Sequence, residues 1–181
     1  IGNIFQQFYN MVDSIIVGKY VGKVALAAVG STGSLNFMII GFGIGICSGF
    51  GIPIAQSFGG KKIKQMKEYI INAFYLCTII TIVMTIVTVL LLPKILTWMQ
   101  TPSNIYDQAY DYIVVIFLGL FATMIYNMLA SILRAIGDSK TPLYFLILSS
   151  VINIALDLYF ITQLNMGAAG AAYATVIAQF I

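Results

Sequence analysis

EYIINAFYLCTIITIVMTIVTVLLL, residues 68–92, holds a single charge, at its first position Glu68, and is otherwise an apolar run with scattered small polar residues. At 1.5 Å per residue a helix of that length measures about 37 Å, enough to cross the ~30 Å hydrocarbon core of a bilayer. Three more long runs, at about 25–52, 109–133 and 141–162, share this character, and shorter ones at about 1–18 and 167–181 stand at the ends. A membrane barrel would show ten-residue alternations instead. The six runs predict an all-α polytopic membrane protein embedded in a lipid bilayer.

Composition agrees. The 181 residues are 60% hydrophobic and 8% charged, with a mean hydropathy of +0.97, where a soluble domain carries about 25% charge. A net charge of +3, dispersed along the chain, excludes a nucleic-acid partner. The absence of His removes the commonest metal ligand and the usual catalytic base. Cys47 and Cys77 lie in apolar stretches without metal-ligand spacing and read as small core residues. The chain starts at Ile1 rather than Met and stops at Ile181 inside an apolar pattern. The first and last helices therefore read as truncated, and no targeting segment is visible.

Loop charges set the expected orientation. Lys61, Lys62, Lys64 and Lys67 cluster between the second and third spans, and Arg134 and Lys140 flank the loop between the fourth and fifth. The remaining connections hold only Lys19, Lys23 and Lys94, the last accompanied by Asp107 and Asp111. Basic loops stay in the cytoplasm, so the N-terminus is expected there and odd-numbered spans run outward. Gly41, Gly45 and Gly49, at four-residue spacing, predict close helix approach in the second span, with Gly43 and Gly51 smoothing another side. Pro53 is expected just past that span, before a turn at Ser57–Gly60. Pro93 and Pro102 are expected to bracket an outer connection containing Trp98, an interfacial anchor.

Against this apolar background, Asp13 and Asp157 are costly. A carboxylate in hydrocarbon must be neutralised, paired or hydrated, and by default marks an ion or proton pathway. Neither stands alone. Gln6, Asn10 and Asp13 share one helix face, as do Ser149, Asn153 and Asp157. The fourth span offers Thr123, Asn127 and Ser131 with Tyr112 on roughly the same side, and the sixth offers Thr175 and Gln179. Four polar stripes predict one shared hydrated cavity. Asp13 and Asp157 lie about 8 Å and 9 Å from the outer ends of their spans by helical rise, so they can belong to one site if the first and fifth spans are neighbours. Protonating such a pair removes charge and turns an acceptor into a donor. The site can thereby alternate between a proton and a cationic substrate. Na⁺ held by the oxygens of Asp13, Asp157 and Asn153 fits the same donors, and no other metal or cofactor is expected.

The sequence around these residues resembles the multidrug and toxic compound extrusion (MATE) transporters. The resemblance is carried by Tyr9-Asn10-Met11-Val12-Asp13-Ser14-Ile15-Ile16-Val17-Gly18 with Ala25-Leu26-Ala27-Ala28-Val29-Gly30, and by Ile54-Ala55-Gln56-Ser57-Phe58-Gly59-Gly60. It continues through Leu133-Arg134-Ala135-Ile136-Gly137-Asp138-Ser139-Lys140-Thr141-Pro142, Asn153-Ile154-Ala155-Leu156-Asp157 and Gly167-Ala168-Ala169-Gly170-Ala171-Ala172. Five motifs in order span nearly the whole chain. The resemblance implies a twelve-helix transporter of two six-helix lobes, of which this chain is most of the first and lacks the carboxyl-terminal lobe. It implies export of cationic or amphipathic small molecules across the cell membrane against an inward flow of H⁺ or Na⁺. It also implies that the amino-lobe cation pocket of bacterial and archaeal members corresponds to Gln6, Asp13, Tyr112, Asn127, Asn153, Asp157 and Thr175. Ala130 departs from the pattern, standing where such pockets can carry a second amide.

Three rivals carry less. A lipid-linked precursor flippase of the same superfamily would line its cavity with basic residues, and this one holds two acids and no Lys or Arg. A membrane-embedded enzyme would need a nucleophile–base pair or a metal cluster, which a chain without His or clustered Cys can hardly build. A channel or structural bundle would tolerate Asn at both aspartates.

Overall fold

The computed structural model describes the backbone of residues 2–181 and the side chains from Met11 onward. Seven helices follow one another, with no strand among the described residues: α1 (Gly2–Tyr20), α2 (Lys23–Gly59), α3 (Ile63–Trp98), α4 (Ser103–Leu118), α5 (Leu120–Ala135), α6 (Lys140–Thr162) and α7 (Gly167–Phe180). Short connections fold neighbours back antiparallel. The α2–α3 and α5–α6 connections therefore lie at one end, and the α1–α2, α3–α4 and α6–α7 connections at the other. Three of the tight reversals turn on non-glycine residues in the left-handed region, Lys61 (φ 56°), Gln100 (φ 54°) and Asn165 (φ 51°). At the α5–α6 connection, Asp138 starts α6 by accepting the N–H groups of Lys140 (3.1 Å) and Thr141 (3.0 Å). Hydrogen bonding from Thr141, first its side chain and then its backbone, holds this exposed carboxyl below the usual carboxylate range.

Two prolines expected at helix ends lie inside helices. α2 continues through Pro53 to Gly59, and α3 through Pro93 to Trp98, so Trp98 closes a helix instead of sitting in a loop. A helical proline forfeits one backbone bond, which membrane helices tolerate when neighbouring structure holds them. Ile54 and Leu96, both fully buried, tie the segment beyond each proline into the bundle. The reversal after α2 consequently centres on Lys61, where Lys62 N–H reaches Ser57 O at 2.9 Å.

The run read as one span at 109–133 is a pair of helices bent by 45° at Gly119. The Gly119 carbonyl accepts the N–H of Ala122 at 3.0 Å, one residue short of α spacing. Val176 of α7 occupies the space where a side chain at Gly119 would begin. A missing Cβ and an inserted neighbour together account for the kink. α2, α3 and α6 are each long and apolar enough to cross a membrane, and α4–α5 makes a fourth when counted as one bent span.

Close approach of α2 also uses a different face from the expected one. Nothing lies within 4 Å of a side chain added at Gly41, Gly45 or Gly49. Gly43 instead meets Met124 Sδ, and Gly51 meets Ser131 O at 3.4 Å, both on α5. The core divides along the bundle axis. A large cluster including Val17, Leu96, Ile113, Phe117 and Ala171 fills the end of the α3–α4 connection. A small one of Cys47, Cys77, Met124 and Met128 fills the other half. Phe37, Leu90 and Tyr144 stand exposed on the outside, as an apolar solvent demands.

Candidate functional site

α1 packs against α6 and α6 against α7, so the stripes of these three helices converge. Asp13 of α1 is 7% exposed and Asp157 of α6 fully buried. Their carboxyl groups are in direct contact with each other. Tyr112 of α4, also buried, lies close enough to feel both charges. One turn along α6 from Asp157, the buried Asn153 donates through Nδ2 to Thr175 Oγ1 of α7 (3.3 Å), and that hydroxyl donates to Ala171 O (3.0 Å). Asp13, Tyr112, Asn153, Asp157 and Thr175 thus form one cluster drawn from four helices.

The cluster has too many acceptors. Asp13 Oδ1, Asn153 Oδ1 and both oxygens of Asp157 are buried without a hydrogen-bond donor among the described residues. Ionised carboxylates and an amide oxygen can only accept, so contact between two of them leaves each unsatisfied. A buried polar atom without a partner costs about 1–3 kcal/mol, more when charged. Oxygen-only surroundings of this kind suit a proton or a hard cation.

The remaining predicted residues fall elsewhere. The side chains of Gln6 and Asn10 lie outside the described residues. Asn127 of α5 donates through Nδ2 to Thr123 O (2.8 Å) and lines a cavity of about 360 Å³ between α2, α5, α6 and α7. None of the five clustered residues lines that cavity. The four stripes therefore do not line this cavity together: the buried carboxylate cluster and the cavity are separate places in the bundle. They adjoin, because the stripes on α6 and α7 run from one into the other. Ser149, one turn from Asn153, and Gln179, one turn from Thr175, both face the cavity. Ser131, the last member of the α5 stripe, instead accepts from Arg134 Nη2 at 3.2 Å.

The cavity walls are mostly apolar, including Phe121, Phe145 and Leu146, and among the described residues carry no Lys, Arg, Asp or Glu. Its polar floor joins α5 to α7 through Thr123 Oγ1, which donates to Gln179 Oε1. Thr123 and Gln179 were visible as stripe members but not as a pair, because 56 residues separate them.

With this geometry in view, similarity to known proteins is informative. The family model described as MatE matches residues 1–159. The chain is 35% identical to the probable multidrug resistance protein YoeA of Bacillus subtilis, over 98% of this chain and 39% of that protein. It superposes with a TM-score of 0.92 and 29% identity on a multidrug resistance MATE family transporter in an outward-facing conformation, covering 98% of this chain and 39% of that one. An inward-facing structure of such a transporter gives 0.90 and 29%, over 96% of this chain and 39% of that one. The chain thus spans about two fifths of the length of these relatives, the share of one six-helix lobe.

Proposed function

Since the chain belongs to the MatE family of multidrug efflux transporters, we propose that it forms the amino-terminal lobe of a cation-coupled antiporter exporting cationic or amphipathic small molecules. In this reading the coupling ion is H⁺ or Na⁺, and it binds at Asp13 and Asp157, with Asn153 supplying a further oxygen. Tyr112 and Thr175 close the cluster, Gln6 lies on the same face of α1 as Asp13, and Asn127 belongs to the substrate side. The observation that carries the reading is the set of four buried oxygens without a donor, split between two contacting helices. Such an arrangement is costly empty and satisfied when an ion enters, so occupancy controls how α1 packs against α6.

The neighbouring cavity supplies the second half of an exchange. Its aromatic and aliphatic walls suit an amphipathic molecule, and its hydrogen-bonding groups are neutral. An ion arriving at Asp157 and Asn153 acts on the same α6 that presents Ser149 to the substrate, one turn away. Exclusive occupancy then needs only a small shift of α6 or α1. The lobe resembles its counterparts in outward- and inward-facing relatives about equally. That supports alternating access by rocking of whole lobes, with a carboxyl-terminal lobe as the partner. In the cell membrane the N-terminus and the 61–62 and 136–139 connections face the cytoplasm, following the basic residues there. A lipid-linked precursor flippase fits less well, because the cavity offers no cation for a pyrophosphate.

The full-length protein in proteoliposomes, loaded with a fluorescent organic cation, tests this reading. Efflux is expected to follow an imposed proton or sodium gradient, and which gradient works identifies the ion. Asp13→Asn and Asp157→Asn should each abolish the gradient-driven component. Driven efflux at the wild-type rate in both variants would overturn the assignment.

A further inference from the structure

The small core cluster in the α2–α3 half has an unusual composition. Its four buried members, Cys47, Cys77, Met124 and Met128, all carry sulfur, and they include both cysteines of the chain. They come from three helices, α2, α3 and α5, and are 0–1% exposed. The two thiols converge on a single acceptor: Cys47 Sγ lies 3.5 Å and Cys77 Sγ 3.9 Å from the carbonyl oxygen of Met124. They are also in contact with each other. Met124 Sδ rests against Gly43, one turn before Cys47 on the same face of α2. Met128 follows one turn after Met124 on α5.

Apolar packing accounts for any one of these residues. What sets this cluster apart is that all four buried side chains packed together carry sulfur, with only Phe50, Ile125 and Ile132 packed against them. Donor chemistry decides what such a site takes. Among the described residues no group of three or more His, Cys, Asp or Glu is placed to hold a metal, so hard ions find no ligand set here. Thiolate and thioether together select soft ions such as Cu(I). Charge narrows the choice further, because a net charge in this apolar setting is expensive. A monovalent ion M⁺ that replaces the proton of one thiol gives a neutral Cys–S–M unit, and the proton leaves to water. The second thiol and the thioethers then donate lone pairs without adding charge.

We propose that Cys47, Cys77, Met124 and Met128 form a binding site for a soft monovalent metal ion, Cu(I) or Ag(I), buried between α2, α3 and α5. The site is distinct from the carboxylate cluster and does not depend on the transport reading. Occupancy ties together three helices that otherwise meet there through packing and weak S–H hydrogen bonds.

The test uses the full-length protein, reduced and held without oxygen, competing for Cu(I) against a chromophoric chelator, with X-ray absorption at the copper edge. Wild type is expected to take one Cu(I) more than the Cys47→Ser/Cys77→Ser double variant and to show a shell of sulfur only. Loss of either thiol should weaken binding by more than about 100-fold, since even changes one shell out cost 10–100-fold. Met124→Leu with Met128→Leu keeps core volume and fold, and is expected to lower affinity by at least about tenfold while leaving thermal stability intact. This pair remains decisive if the serine variants fold poorly. Equal uptake by wild type and the double cysteine variant, unchanged affinity in the leucine pair, a nitrogen or oxygen shell, or Zn²⁺ binding as tight as Cu(I) would each overturn the proposal.

Discussion

Asp157→Asn should make the protein more stable while removing its proposed work. In the native cluster, Asp13 Oδ1, Asn153 Oδ1 and both Asp157 oxygens lack donors. Replacing one Asp157 oxygen by an amide nitrogen removes one orphan. It also offers a donor to the contacting Asp13 carboxylate, which removes a second, and it ends the acid–acid contact. At about 1–3 kcal/mol per unsatisfied buried group, and allowing for imperfect geometry, the net gain should be about 2 kcal/mol. For a folding unit of 150–250 residues that corresponds to roughly 4–8 °C in Tm. The assay is thermal unfolding of the purified full-length protein in detergent, in sodium-free buffer near neutral pH. If Na⁺ is the ion, adding it should raise the Tm of wild type, by about 2.7 kcal/mol of stabilisation at one hundred times Kd, and leave the variant unmoved. A variant that melts at or below wild type in sodium-free buffer would refute the reasoning, because the oxygens would then have partners.

Other expectations concern the bend and the cavity. Gly119→Ala forces a methyl group into Val176, a β-branched side chain with no flexible end to yield, and should cost about 1–3 kcal/mol; a lowered Tm checks it, and Gly119→Ala combined with Val176→Ala should recover much of the loss. Gln179→Leu removes the acceptor of the Thr123 hydroxyl from the cavity floor and should raise the KM for a transported cation severalfold while leaving the ion dependence of efflux unchanged. A combined Thr123→Val and Gln179→Leu variant should be affected less than the two single changes summed, by about 0.5–3 kcal/mol, since the residues act as a pair.

The helical membrane class was legible because apolar runs of this length have one stable solution in lipid. For Asp13, Asp157 and Asn153, helical spacing fixed the faces and helical rise the depth, while the packing of α1 against α6 that brings them together came only from the structure. Other features depended on what stands opposite a residue, which spacing within one helix does not report. Pro53 and Pro93 look like terminators until buried Ile54 and Leu96 are seen holding the chain beyond them. Gly41, Gly45 and Gly49 have the spacing of a packing face, yet it is Gly43 and Gly51 that meet α5, because that is where Met124 and Ser131 lie. Asn127 shares a periodicity with the acid stripes but, lying beyond the bend at Gly119, reaches the other compartment. Cys47 and Cys77, 30 residues apart on antiparallel helices, gave no sign of meeting.

The two compartments also constrain how coupling can work. A shared chamber would make ion and substrate compete for the same oxygens, so that a neutral substrate could not be expelled. Here Asp157 and Asn153 lie on one side of a helical turn and Ser149 on the other, while Thr175 and Gln179 repeat the arrangement on α7. In the proposed reading exclusion then travels through helix position and not through ligand competition, so the substrate need not carry charge. Val176 sits between Thr175 and Gln179 and wedges the α4–α5 bend from the same helix. A rotation of α7 that loosens the Asn153–Thr175 bond would therefore also move that wedge and, with it, the α5 wall of the cavity. A neutral amphipathic analogue of a transported cation distinguishes the two schemes, since only coupling through helix position lets the same ion gradient drive its efflux.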